Sequence, residues 1–199
     1  MDELLPPGRS RFIAITPGFV AVPTDGCFVP GYLLIVPRGH VLSFGRVNAR
    51  LLAEAQDLMD SLAARLQKAY GLPVLGFEYG INAPGKRRIE HAHWHLLPTE
   101  ADLNRWLADR LAGNPIGALP ELPGGDGSYI AVRGQDAALT VFAVDGPLEA
   151  DRRIRLRRVV ASLDPRVDAA AWDWADHRCP ELIRATVADL SAPSEESVS

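Results

Sequence analysis

Three of the chain's five histidines fall in one short run, His91-Ala92-His93-Trp94-His95. In an extended segment side chains alternate faces, so the three imidazoles share one surface at roughly 7 Å spacing, while Ala92 and Trp94 point the other way. A row of imidazoles suits two kinds of chemistry. Neutral imidazole is a zinc or iron donor, which makes His91, His93 and His95 a candidate ligand set with Glu78 or Glu90 as acid-base partner. Alternatively, one ring attacks an electrophile while its neighbours supply protons and hydrogen bonds.

A phosphoryl electrophile needs fixed cations and donors around its nonbridging oxygens. Lys86, Arg87 and Arg88 stand just before the histidine run, and Asn82 adds an amide donor. The same four residues also read as a solvated turn. A later segment carries Arg152, Arg153, Arg155, Arg157 and Arg158. That group reads chiefly as a solvated helix face, although Arg153 and Arg157 lie one turn apart and could reach a phosphate together. Trp172 and Trp174 read as packing residues and His177 as exposed. Cys27 and Cys179 form no CxxC pair, which argues against a disulfide framework or a cysteine zinc site.

The elements that must position these residues are visible as changes of period. Residues 11–15, 18–22 and 31–36 are short apolar or alternating runs separated by Thr-Pro-Gly and Thr-Asp-Gly, the pattern of strands joined by turns. From Asn48 the spacing changes to three and four: Leu51, Leu52, Ala55, Leu58, Met59, Leu62 and Leu66 mark one stripe of a helix that Gly71 and Pro73 stop. Residues 74–79 and 89–97 then read as a hairpin with a basic tip, ended by Pro98. This order predicts an α+β fold, an antiparallel sheet with one long helix packed on it.

Beyond Glu100, residues 101–111 read as a helix, 113–128 as a Gly- and Pro-rich loop, 129–132 and 139–144 as a second hairpin, and 151–163 as the arginine-bearing helix. Together these form a C-terminal α/β extension. The expected domains are 11–103 for the catalytic unit, 104–190 for the extension and 191–199 for a disordered polar tail.

Composition narrows the function classes. With 199 residues, 47% of them hydrophobic, the chain can bury a full core, and its net charge of -4 argues against long nucleic acid as a partner. No apolar run approaches the roughly 20 residues that span a bilayer, and the acidic start MDELLPPGRS lacks the regions of a signal peptide. No membrane partner and a cytoplasmic location are therefore expected.

His91 to Leu97 has the form His-x-His-x-His followed by two apolar residues. Val29 to His40 reads as a strand entering a Pro-x-x-His turn, and the long helix, the strand ending Phe77-Glu78-Tyr79-Gly80 and the polar hairpin follow in order. Over residues 11–103 this resembles the histidine triad family. The resemblance implies nucleotidyl transfer through a covalent intermediate. His93 would attack the α-phosphorus of a nucleotide phosphoanhydride, phosphoramidate or phosphate ester, and water would release the monophosphate.

By the same resemblance, the His91 backbone orients the nucleophilic ring, His95 hydrogen-bonds a phosphate oxygen or the leaving group, and His40 supports the site. Thr24 or Asp25 stands where the family places a ribose-hydroxyl acceptor, although Thr-Asp-Gly is also an ordinary turn. The implied partner is a small adenine-type nucleotide, with no cofactor and with room for a homodimer. Tyr32, grouped with the substrate-binding residues, occupies a position where many members have histidine. Arg88 occupies one where they have serine or threonine. Histidine at the third triad position, where transferase branches commonly carry glutamine, favours hydrolysis. A binding protein that kept the pocket and lost the rate is a further reading.

Overall fold

The structure, a computed structural model, describes residues 10–82, 90–144 and 154–191. Lys86, Arg87, Arg88, Arg152, Arg153 and residues 192–199 of the expected tail lie outside the described residues.

Strands β1 (Ala14–Ile15), β2 (Phe19–Pro23) and β3 (Leu33–Pro37) lead into helix α1 (Ala49–Tyr70), followed by β4 (Val74–Gly80) and β5 (Trp94–Pro98). After them come α2 (Leu103–Ala108), β6 (Gly113–Ile116), β7 (Ser128–Arg133), β8 (Leu139–Val144), α3 (Leu156–Leu163) and α4 (Pro180–Ser191). The strands form one sheet in the order β1-β2-β3-β5-β4-β7-β8-β6, with every pairing antiparallel. The α+β expectation holds. Because β7 pairs with β4, the sheet runs on past residue 103 without a break.

Local chemistry explains α1. The Asn48 side chain accepts a hydrogen bond from Leu51 N at 3.0 Å, capping the first turn. Gly71 closes the last turn at φ 67°, a left-handed conformation that glycine adopts without Cβ strain. Between the caps, Leu52, Leu58, Leu62 and Leu66 face the sheet and meet Phe19, Leu33, Ile35, Trp94 and Leu96. The opposite sheet face carries Tyr32, Leu75, Phe77, Leu97, Ile130 and Val132, covered by Leu103, Leu107, Leu156 and Val160 of α2 and α3.

Three elements differ from the sequence reading. β5 begins at Trp94 rather than Ile89, because Ala92 N donates to Val41 O and the His91 ring turns to Pro37 O, outside the ladder with β4. Part of the expected 113–128 loop is β6, an edge strand on β8; Pro115 is tolerated there because an edge residue has no ladder partner to lose on its outer side. The sequence reading also lacked α4. Its Ile183, Thr186, Val187 and Leu190 are buried at helical spacing, and Thr186 Oγ1 accepts Gly31 N at 2.8 Å. Arg65 donates to Leu190 O, tying α4 to α1. Among the described residues, no helix is long and apolar enough to cross a membrane.

Candidate functional site

His91, His93 and His95 line a single cavity of about 160 Å³, together with Phe77, Glu78 and Leu156. Alternation decides the facing of β5: Trp94 and Leu96 enter the α1 core, while His95 pairs with Phe77 across the ladder and stacks on its ring at 4.5 Å between centroids. His93 lies against His95 with centroids 4.9 Å apart. The His91 ring, by contrast, is aimed by its Nε2 at Pro37 O, 2.8 Å away, and meets the exposed His40 ring at 5.3 Å. The three rings thus reach one cavity although only His95 belongs to a strand.

Hydrogen bonds fix which ring nitrogen carries the proton. His93 Nδ1 lies 2.8 Å from His91 O. A carbonyl oxygen only accepts, so Nδ1 is the donor, and in the neutral ring Nε2 keeps its lone pair. Burial lowers the His93 pKa below the ordinary histidine value, helped by the nearby His91 and Arg157 charges. His95 is pushed down further, chiefly by burial and then by His93 and Arg157. Both rings are therefore neutral at physiological pH. His95 is 8% exposed, and its Nδ1 faces the Tyr32 hydroxyl at 2.9 Å.

A second network braces the cavity from the α1 side. Glu78, 2% exposed, accepts Phe44 N at 2.8 Å and the Tyr129 hydroxyl at 2.7 Å. Burial raises its pKa to about 7 against those two donors. Beside it, Ser43 Oγ donates to Asn82 Oδ1 at 2.5 Å, and Asn82 Nδ2 donates to Gly127 O at 2.8 Å.

These contacts revise several sequence expectations. Asn82 is buried, and its amide holds Ser43 and Gly127 in place. Tyr32 is fully buried behind His95, so it reaches the cavity only through that ring. Thr24 is buried as well and accepts Arg157 Nη1 at 3.2 Å, while the exposed Asp25 pairs with Arg11 at 2.7 Å. Arg157 is no solvated face residue; its guanidinium also donates to Trp172 O at 3.1 Å and Gly26 O at 2.6 Å. Leu156 and Arg157 bring the second half of the chain to the histidines. A single apolar residue beside a half-buried arginine carries no sequence signal that would have found this.

No group of three or more His, Cys, Asp or Glu side chains among the described residues is placed to hold a metal ion. Glu78 lines the cavity with both oxygens engaged by Phe44 N and the Tyr129 hydroxyl, and Glu90 is exposed.

Solved structures of the histidine triad kind are similar to part of this chain. One is a hypothetical histidine triad nucleotide-binding protein from Sulfolobus tokodaii, 22% identical, with a TM-score of 0.38 over 46% of this chain and 62% of that one. Another is a Hit-like protein involved in cell-cycle regulation from Bartonella henselae, 17% identical, with a TM-score of 0.39 over 45% of this chain and 66% of that one. In both cases the match spans less than two thirds of the solved chain. No family model and no curated protein matches the chain.

Proposed function

We propose that this chain is a histidine triad enzyme, a nucleotide phosphoanhydride or phosphoramidate hydrolase or nucleotidyltransferase working through a nucleotidyl-His93 intermediate. The observation that carries the reading is the His93 Nδ1 to His91 O hydrogen bond of 2.8 Å, which leaves the lone pair of a neutral imidazole on Nε2 at the cavity. A nucleophile needs that state, and the lowered pKa maintains it.

In the first step the His93 Nε2 lone pair forms a bond to the α-phosphorus. The bond from phosphorus to the leaving group breaks, and its electron pair departs with that group. His95, in the same cavity, is the donor to the leaving atom. The His93 ring becomes a phosphorylated imidazolium, whose Nδ1–H remains on the His91 carbonyl. Water then attacks phosphorus and gives up a proton to solvent, the P–N bond breaks, and the electron pair returns to Nε2. Splitting one displacement into two in this way is the gain of covalent catalysis.

The substrate is a small adenine-type nucleotide, the histidine at the third triad position favours water as acceptor, and no cofactor takes part. Residues 11–103 supply the nucleophile, and residues 104–190 reach its cavity through Leu156. Phosphate contacts from Lys86, Arg87 and Arg88, assembly as a homodimer and a cytoplasmic location complete the reading.

The test is a panel of nucleoside phosphoramidates, dinucleoside polyphosphates and nucleotide sugars scored for released monophosphate, with intact-protein mass spectra taken during turnover. A nucleotidyl mass adduct is expected on the wild type and none on His93→Ala, which should be inactive. Full activity in that variant would end the proposal.

A further inference from the structure

We propose that Arg157 and Tyr32 form a positioning relay that holds His95 in the tautomer with its proton on Nε2, presented to the cavity.

The Tyr32 hydroxyl lies 2.9 Å from His95 Nδ1, and either group could donate. Two features of the surroundings choose. The Arg157 guanidinium carbon sits 5.1 Å from the centre of the Tyr32 ring and 5.4 Å from that of Phe28. A cation beside a phenol stabilises charge developing on its oxygen, which strengthens the O–H as a donor and weakens the oxygen as an acceptor. The Tyr32 proton is therefore given to Nδ1, and the neutral His95 must carry its own on Nε2. On the function proposed above, the opposite arrangement would set a bare Nε2 lone pair toward an anionic guest.

Arg157 can act in this way because it is itself immobilised. Trp172 O, Thr24 Oγ1 and Gly26 O accept from Nε, Nη1 and Nη2 at 3.1, 3.2 and 2.6 Å, which uses the spread of the guanidinium fork. Gly26 turns at φ 66°, where a side chain would run into Trp174, so the carbonyl that receives Nη2 is held by the backbone. On its other side, His95 is clamped by Phe77, whose ring lies at 17° to the imidazole. Among the described residues, the Tyr32 bond is what remains to choose the tautomer. The sequence departure at Tyr32 and the arginine of α3 are thus two parts of one device, and the second half of the chain sets the protonation pattern of a histidine in the first.

The deciding measurement is ¹⁵N NMR of the histidine side chains in the full-length protein at neutral pH. His95 should show an unprotonated, pyridine-like Nδ1 and a protonated, pyrrole-like Nε2; the reverse assignment overturns the proposal. In Tyr32→Phe the two nitrogens should move toward averaged values of a mixed population. Arg157→Gln should move them the same way, whereas Arg158→Gln, exposed on the same helix, should leave them in place. A folded Arg157→Gln protein with the wild-type His95 spectrum would remove Arg157 from the relay.

The catalytic consequence rests on the function proposed above. There, Tyr32→Phe should lower kcat about tenfold with KM unchanged, the effect of one misplaced hydrogen bond. The NMR arm needs no turnover. If His93→Ala retains full activity while His95 shows the expected tautomer, the enzyme reading fails and the relay stands. If the tautomer is reversed in an active enzyme, the relay fails and His95 loses its place as donor, while the nucleotidyl-His93 intermediate stands.

Discussion

Replacing Glu78 with glutamine isolates the cost of a carboxyl group buried at the edge of the site. The side chain is 2% exposed, and its hydrogen-bond partners among the described residues are Phe44 N and the Tyr129 hydroxyl, neither of them a cation. Its pKa is raised from 4.5 to about 7, an interval of about 2.5 pH units. At about 1.36 kcal/mol per unit this places about 3 kcal/mol of folding free energy under pH control.

The sign follows from which state holds the proton. Between the two values the folded chain keeps a proton that the unfolded chain has lost, so the contribution is complete below pH 4.5 and is lost as pH rises through about 7. Glutamine keeps an oxygen for Phe44 N and cannot titrate. Urea unfolding followed by circular dichroism from pH 4.5 to 8 should therefore show wild-type stability falling by about 3 kcal/mol relative to Glu78→Gln. Taking the difference between the two proteins removes the histidine contributions, which both share. Parallel stability curves across that range would refute the argument that burial dominates this carboxyl.

The histidines give the opposite limb. His93 and His95 have folded pKa values below the ordinary 6.5, so their contribution is present above pH 6.5 and is lost as pH falls below it. A variant with both replaced by asparagine should lose less stability between pH 6.5 and 4.5 than the wild type, measured by the same unfolding series. Leu62→Ala, at a position 1% exposed in the α1 core, should cost about 2–5 kcal/mol in unfolding free energy. Asn48→Ala removes the acceptor of Leu51 N and should cost about 1 kcal/mol, restored in part by Asn48→Ser.

Local signals carried most of the first half of the fold into view. The helix was bounded to within a residue because its stops are chemical: an asparagine that accepts an N–H, and a glycine that alone tolerates φ 67° without strain. The triad was legible because its histidines stand two residues apart in one short run, although strand alternation begins only at Trp94 and the His91 ring turns to Pro37 O instead. The edge strand β6 was not, because Gly113 and Pro115 read as breakers and only pairing with β8 makes them a strand. Helix α4 shows its stripe only once Leu190 and Ile183 have cores to enter.

By itself, then, the sequence determined three imidazoles close together, a helix to back their sheet and an α+β order of elements, all of which depend on neighbours along the chain. Tertiary structure alone decided the state of those imidazoles. His93 carries its proton on Nδ1 because His91 O is 2.8 Å away, and His95 is neutral because Phe77, Tyr32 and the covering α3 exclude water. It likewise set Asn82, Thr24 and Tyr32, expected as substrate contacts, into hydrogen bonds with Gly127 O, Arg157 and His95. The physical reason is that protonation and hydrogen-bond direction are set by desolvation and by partners far apart in the chain, 133 positions for Arg157 and Thr24, and no local pattern encodes them.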